Sequence, residues 1–517
     1  MIQVCARQAE EERIAAVYTM TTTPRACSWA PELEVEFPAR ETGFPYGHLP
    51  GLGYEGTIAG MTATATELSE LADALPAGAL VTDAAITEGY RRDWARDPNA
   101  GRPVAVVRAT CTADVQATLV WASRHGIPVV PRGAGSGLSG GSSAVDGCIV
   151  LSLERMREVF VDVPTRVAVA QPGALNVEVK QAAAAKGLWY PPDPSSFEMC
   201  SIGGNAATNA GGLCCVKYGV TTDYVLGMQV VLADGTALHL GGPRLKDVAG
   251  LSLTKLFVGS EGTLGVITEL TLRLVPAPPP ASTLVASFSS IEAAAGAVLA
   301  IVSTLRPSML ELMDNASINA VEDFIGMGLD RSAGALLIAR SDAPGGAAST
   351  EVGLMAQACG RYEPTELFTT DDPAEGEMFA AARRAAFPAV EKLGDLLLED
   401  VGVPLPALPA LVRGVERIAA ARDTRIAVVA HAGDGNTHPL IVYDATDPDA
   451  TARAELAFGE VMDLATSLGG TITGEHGVGR LKKAWLPGYV GADVMEVSRR
   501  IKNALDPQGI LNPGAVL

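Results

Sequence analysis

Histidine is scarce in this chain, with six in 517 residues, and so is basic charge, with 39 Lys+Arg against 59 Asp+Glu for a net charge of −20. The charge deficit excludes non-specific binding to nucleic acid or to an anionic membrane, both of which need basic surface. Acidity of this kind serves solubility. No run approaches the ~20 apolar residues of a membrane span. The opening MIQVCARQAEEER has no basic stretch followed by a long apolar one, so no signal peptide is expected. The eight cysteines contain no C-x-x-C and no closely spaced run of four. That excludes iron–sulfur ligation and favours reduced, buried thiols over a disulfide framework. The compartment expected from these absences is the cytoplasm, with peripheral attachment at the inner face of a membrane as the variant. Nucleic acid and a membrane span are excluded as partners.

What is present is a globular composition, 48% apolar and 19% charged. The length predicts two to four folding units. Residues 1–60 show no sustained period of 2.0 or 3.6, and read as a flexible extension or a mis-assigned start. Met61 would then be the true start, opening MTATATELSELADAL, a capped helix. From Pro103 strands and helices alternate. PVAVVRA is a strand, and Thr112 is expected to cap the helix that Gly126 ends. IPVV runs into PRGAGSGLSGG, and CIVLSL and RVAVAQ are further strands. VVLADGTALHL reads as a hairpin with a two-residue Asp234-Gly235 turn. Pro276-Ala-Pro-Pro-Pro280 can continue neither element type, which places a domain boundary there. The domains expected are therefore 61–276 and 277–517.

The 55 glycines cluster. G-x-G-x-x-G at 135–140 is not a dinucleotide fingerprint of the usual kind, because a turn and a strand follow it instead of a helix. Its bare N–H groups suit a diphosphate nest in a loop. SIGGNAATNAGG (201–212) and GSEGTLG (259–265) are the second and third clusters. Any one could be ordinary turn chemistry. Three within 133 residues fit a large cofactor that needs several close backbone approaches.

The last three histidines, His431, His438 and His476, lie in polar, glycine-rich motifs. HAGDGNTH (431–438) between AVVA and PLIVY reads as a hairpin that turns two imidazoles toward each other. GEHGVG (474–479) sets Glu475 beside a third. Two imidazoles and a carboxylate are a standard divalent-metal set with an open position for substrate. Taken singly, each histidine reads better as a hairpin-stabilising or surface residue; together they favour the metal set.

PRGAGSGLSGG, PPDPSS, SIGGNAATNAGG, KYG (217–219) and GSEGTLGVIT together resemble the FAD-binding domain of the vanillyl-alcohol-oxidase/p-cresol-methylhydroxylase type. The branch resembled is that of the D-lactate dehydrogenases, glycolate oxidases and D-2-hydroxyglutarate dehydrogenases, over about residues 85–517. The implied fold class is α+β: a two-part FAD-binding domain, then an α+β cap domain with an antiparallel sheet whose tail returns to the FAD domain.

The resemblance implies specific roles. Pro131, Arg132, Gly133, Ala134, Gly135, Ser136, Gly137, Ser139 and Gly140 would cradle the FAD diphosphate. Ser201, Gly203, Gly204, Asn205, Asn209, Gly211 and Gly212, with Glu261, Gly262, Gly265 and Ile267, would flank the ribityl and isoalloxazine parts. Pro192, Asp193, Tyr218, Gly219 and Asn512 belong to the remaining matching motifs. The linking histidine of some branches has no counterpart, so FAD is expected to be non-covalent. His431, His438 and Glu475 would hold a divalent metal, with zinc the expected ion, and His476 would be the catalytic base. Glu377-Met-Phe-Ala-Ala-Ala-Arg383-Arg384 resembles the branch's tryptophan-x-x-arginine helix, with Arg383 as anchor for the substrate carboxylate.

The reaction implied is oxidation of a small D-2-hydroxy acid, D-lactate or glycolate, to the 2-oxo acid. Hydride would go to flavin N5, and electrons to a separate acceptor: a quinone, a cytochrome, an electron-transfer flavoprotein or an iron–sulfur subunit. LLLEDVGVP lacks the lysine of the dicarboxylate-specific members, which counts against the alternative of 2-hydroxyglutarate. A transferase of alkylglycerone-phosphate-synthase type is the other rival, and its chemistry needs no such histidine set.

Overall fold

The computed structural model describes residues 63–517. The extension over 1–60 and the proposed start at Met61 lie outside the described residues. The first helix among the described residues, Ala65–Asp73, opens with a capping box between Thr64 and Glu67.

Three strands, Ala105–Arg108, Ile149–Ser152 and Val129–Arg132, pair in parallel in that order, with Leu80–Val81 antiparallel at the edge. Helix Thr112–His125 makes the crossover between the first strand and Val129–Arg132. Ile149–Ser152 sits in the middle and is buried throughout, as a parallel strand covered on both faces must be. Thr112 does not cap the crossover helix: Cys111 is at the cap without a side-chain bond, and the Thr112 hydroxyl instead lies 2.7 Å from Gln229 Oε1. Gly126 ends the helix in the left-handed conformation, as expected.

A second sheet of five antiparallel strands follows in the order 159–162, 167–170, 266–273, 225–231, 237–241. The turn at its last hairpin differs from expectation. Leu232 N bonds Thr236 O and Gly235 N bonds Leu232 O, so three residues form the loop, and only Gly235 has positive φ. A single left-handed glycine closes a type I turn with a bulge, whereas the two-residue turn needs positive φ at both centres.

The second half is built on one antiparallel sheet of eight strands. Its main path runs 366–370, 282–288, 335–341, 309–314, 425–431, 436–443, 395–398, and Val401–Gly402 also pairs with 436–443. Helices cover both faces. Leu284, Ala286 and Phe288 turn to one core while Val285 turns to the other, the period-2 alternation of a strand buried on both sides. Helices Ile291–Val302, Leu408–Ala421 and Pro448–Ser467 pack on the first face, and Asn315–Ile325, Pro373–Arg384 and Ala386–Glu391 on the second. The fold is α+β. The tail runs back to the parallel sheet, where Asn512 N donates to Val129 O and Val129 N to Ile510 O. Among the described residues no helix is long and apolar enough to cross a membrane.

Candidate active site

A cavity of about 510 Å³ opens between the glycine-rich segments and the large sheet. The first glycine loop hangs from the end of strand Val129–Arg132. Its carbonyls are tied outward, with Trp94 N donating to Gly135 O and Ala95 N to Gly137 O. The N–H groups of Gly135, Ser136, Gly137 and Leu138 meet no acceptor among the described residues. A row of free N–H groups on a cavity wall is an anion nest, and it fits the diphosphate of FAD. The second cluster is not a loop throughout. Ile202–Thr208 is a short helix capped by Ser201, whose Oγ accepts from Gly204 N and Ala134 N. A Cβ on Gly133 would stand 2.1 Å from that Oγ, so this close approach requires glycine.

Pro131, Arg132, Gly133, Ala134, Gly135, Ser136, Gly137 and Ser139 line the cavity. So do Ser201, Gly203, Gly204, Asn205, Gly211, Glu261, Gly262, Gly265 and Ile267. The other predicted FAD residues, Gly140, Pro192, Asp193, Asn209, Gly212, Tyr218, Gly219 and Asn512, lie outside its lining. Several are braces. Asp193 accepts from Cys214 N, Tyr218 OH donates to Asp342, and Asn209 takes the left-handed cap position of its helix. Asn512 donates to Gly141 O and Glu261 O, joining two glycine loops from behind.

The three histidines converge at one end of the cavity, which His438 and His476 line with Glu475. Strands Arg425–His431 and Asn436–Tyr443 form the expected hairpin, but Val429 is the partner of His438, and His431 of Asn436. The imidazoles are therefore diagonal neighbours, with ring centroids 5.1 Å apart. His438 stacks on His476 with centroids 4.9 Å apart. All three Nε2 atoms point at Glu475 Oε1, at 3.3 Å from His431, 3.2 Å from His438 and 3.7 Å from His476. The donor atoms of His431, His438 and Glu475 lie within 4.8 Å of one another. Asp400, His438 and His476 satisfy the same spacing.

Sequence reasoning missed Glu311, Glu399, Asp400 and Lys482 around this group, and gave Glu261 only a flavin-flanking role. Glu311, buried in strand Met309–Asp314, places its carboxylate 2.8 Å from His431 Nδ1 and 3.0 Å from Arg383 Nε. Asp400 Oδ2 accepts from Thr473 Oγ1 and from the backbone N–H groups of Gly474, Glu475 and His476, at 2.7–2.9 Å. Lys482, also buried, stands 2.8 Å from Glu399 and donates to Asp400 O. Glu261 accepts from Val478 N and Gly479 N. The loop carrying Glu475 and His476 is thus held by buried carboxylates from both halves of the chain. The signals were a lone Glu inside the apolar MLELM and an acid pair ending LLLED.

The electrostatics favour a cation here. Burial opposes charge on His431, yet Glu311 and Glu475 raise its pKa well above the usual value. Burial likewise opposes charge on Glu475, yet His431 and His438 hold it well below the carboxylate range. An imidazole set between two carboxylates, with Nε2 turned to a second imidazole's partner, is the donor chemistry of a divalent-ion site. His476 behaves otherwise: burial pushes it down to about 4, against the pull of Asp400. It is neutral near pH 7, as a proton acceptor must be.

Arg383 lies 4% exposed in the last turn of helix Pro373–Arg384, and its Nη2 has no acceptor among the described residues. An orphaned buried guanidinium donor on the cavity wall fits a substrate carboxylate. Arg384 also lines the cavity, but its guanidinium pairs with Glu377.

Residues 103–241 match the family described as FAD binding domain, and residues 277–516 match FAD linked oxidases, C-terminal domain. The chain is 40% identical over 415 residues to the glycolate oxidase subunit GlcD of Bacillus subtilis (strain 168), covering 80% of this chain and 88% of that protein. It belongs to the FAD-linked oxidase family. Another relative is the D-lactate dehydrogenase of Anaerostipes hadrus, 34% identical, with 83% and 93% covered. The crystal structure of p-cresol methylhydroxylase with substrate bound shares the fold, with a TM-score of 0.72 at 17% identity over 88% of this chain and 97% of that one. The protein is an FAD-linked oxidoreductase with a p-cresol-methylhydroxylase-type fold.

Proposed function

We propose that this FAD-linked oxidase oxidises a small 2-hydroxy acid of the D-lactate or glycolate type to the 2-oxo acid, with a divalent ion, zinc the first choice, at His431, His438 and Glu475. The observation that carries the reading is that Arg383, His438, Glu475 and His476 line the same cavity as the glycine loops. When bound, FAD supplies the two-electron acceptor and the ion supplies a Lewis acid.

The chain's own residues do the rest. Arg383 pairs with the substrate carboxylate, which fixes the orientation of the α-carbon. His431, His438 and Glu475 would hold the ion near the hydroxyl oxygen. Neutral His476 accepts the hydroxyl proton. Leu398, Val429 and Leu440 also line the cavity, and these apolar side chains suit a hydrogen or methyl substituent. Arg384, beside the proposed anchor in the same cavity, already has its charge engaged by Glu377 and offers little to a second carboxylate. This favours a monocarboxylate over 2-hydroxyglutarate. Electrons then pass to a separate carrier, since the sequence has no iron–sulfur motif.

The test is a panel of D- and L-2-hydroxy acids with a dye acceptor. Turnover should be highest with D-lactate or glycolate and at least about tenfold lower with D-2-hydroxyglutarate, the cost of one unmatched charge. A clear preference for the dicarboxylate would overturn the substrate assignment.

A further inference from the structure

A second cavity, of about 470 Å³, lies behind the imidazoles. It shares only Gly211 and Glu475 with the first. His438 and His476 face the first cavity, His431 faces the second, and Glu475 faces both. The wall between them is thin. A Cβ on Gly211 would stand 2.4 Å from Glu475 Oε2 and 3.4 Å from Cys215 Sγ, so any larger residue there would displace the carboxylate.

The two cavities differ in charge. The first carries three guanidinium groups, Arg132, Arg383 and Arg384, among four carboxyl groups, Asp93, Glu261, Glu391 and Glu475. The second is lined by the carboxylates of Asp434 and Glu475, the His431 imidazole and the Cys215 thiol, with no lysine or arginine. Asp434 is exposed, at the tip of the 431–438 hairpin, and Tyr489 beside the cavity is 41% exposed. The walls thus lead from a solvent-facing carboxylate to the buried donors of Glu475 and His431. The guanidinium groups of the first cavity attract the phosphates of a flavin and the carboxylate of a substrate, and a bound flavin would fill that approach. Carboxylate walls without a lysine or arginine, as in the second cavity, attract a hydrated dication instead. They also offer hard oxygens to replace shed water.

We propose that the second cavity is the port through which a hydrated divalent cation reaches Glu475 and His431, separate from the cavity that admits flavin and anionic substrate. The proposal rests on the assignment of His431, His438 and Glu475 as metal donors. Its consequence is that metal exchanges while flavin stays in place, although flavin fills the other approach.

The experiment uses holoenzyme stripped of metal by a chelator with FAD retained. Co²⁺ is added in a stopped-flow instrument, and its ligand-field absorption reports uptake while flavin fluorescence reports release. Uptake should run to one ion per chain with no flavin released. Asp434→Asn keeps an oxygen to accept from Asn436 N, and should slow uptake about tenfold at low salt. Asp434→Lys should slow it further, and both effects should shrink at high salt. Arg384→Gln, on the other cavity, should leave the uptake rate within about twofold. Full occupancy with unchanged uptake rates in both Asp434 variants would overturn the port, as would uptake that waits for flavin to leave. A wild-type protein that takes up no divalent ion at all would instead remove the metal assignment, and the port with it.

Discussion

Glu311 lies 2.8 Å from Nδ1 of His431, and both are buried. The contact turns Nε2 of His431 toward Glu475, and the same carboxylate reaches Arg383 at 3.0 Å. One acidic residue therefore orients a proposed metal donor and the proposed substrate anchor together.

Glu311→Gln should weaken metal binding 10- to 100-fold, the usual effect of losing the carboxylate behind a ligating imidazole. Flavin should stay bound, since none of its wall residues is touched. Elemental analysis after dialysis against graded chelator checks this. Unchanged metal affinity would show that Glu311 only balances Arg383.

Arg383→Ala should raise KM for the hydroxy acid about 10- to 100-fold, corresponding to one charge-assisted hydrogen-bond pair. Arg383→Lys, which keeps the charge facing Glu311 but loses the fork, should recover folding and only part of the affinity. Arg384→Ala, whose partner is the exposed Glu377, should change KM by less than about threefold. Steady-state kinetics on the three variants decide the point, and a reversed order of Arg383 and Arg384 would contradict the assignment.

Asp400 should act as a positioning residue. Its Oδ2 takes three backbone N–H groups and one hydroxyl from the loop that carries Glu475 and His476. Asp400→Ala leaves those donors unsatisfied, and should lower kcat about 100-fold together with metal affinity. Asp400→Asn keeps an acceptor oxygen and should lie between the two. Equal loss in both variants, with metal affinity intact, would exclude the loop-holding role.

Burial pushes the Glu261 carboxyl up to about 7, against the pull of Val478 and Gly479 N–H. In the unfolded chain it would ionise near 4.5. Its contribution to stability is therefore full below pH 4.5 and is lost as pH rises through 7. Glu261→Gln cannot ionise, so between pH 5 and pH 8 it should lose less stability than the wild type, by on the order of 2–3 kcal/mol. Denaturant titrations of the two holoenzymes across that range measure the difference. Parallel pH profiles would mean that Glu261 stays charged in the folded protein.

Much of this site was legible because its parts are contiguous in sequence. The glycine loop at 133–141 announces itself by composition, and HAGDGNTH by its symmetry about a tight turn. Arg383 comes from the resemblance of its helix to the tryptophan-x-x-arginine helix of the branch. What was not legible are the braces: Glu311 meets His431 across 120 positions, and Glu261 meets Gly479 across 218. Nothing local marks such a pair, since a buried carboxylate and an exposed one have the same letter. The same limit explains Tyr218 and Asn512. No residue of the motifs that hold them lines the cavity, and each turns its side chain to a neighbouring chain segment. The Asp234-Gly235 turn was misread because a two-residue and a three-residue loop share the same glycine signal, and only the register separates them.

The measurement that bears most directly on the proposed function is anaerobic single-turnover reduction of the flavin by D-lactate and by glycolate. It should be made on metal-loaded protein, on chelator-treated protein that retains FAD, and on His476→Ala. The loaded wild type should bleach fully with at least one of the two acids. The chelated protein should not bleach, and His476→Ala should bleach about 10²–10⁴-fold more slowly. Bleaching at the wild-type rate with the metal removed or with His476 absent would contradict the account.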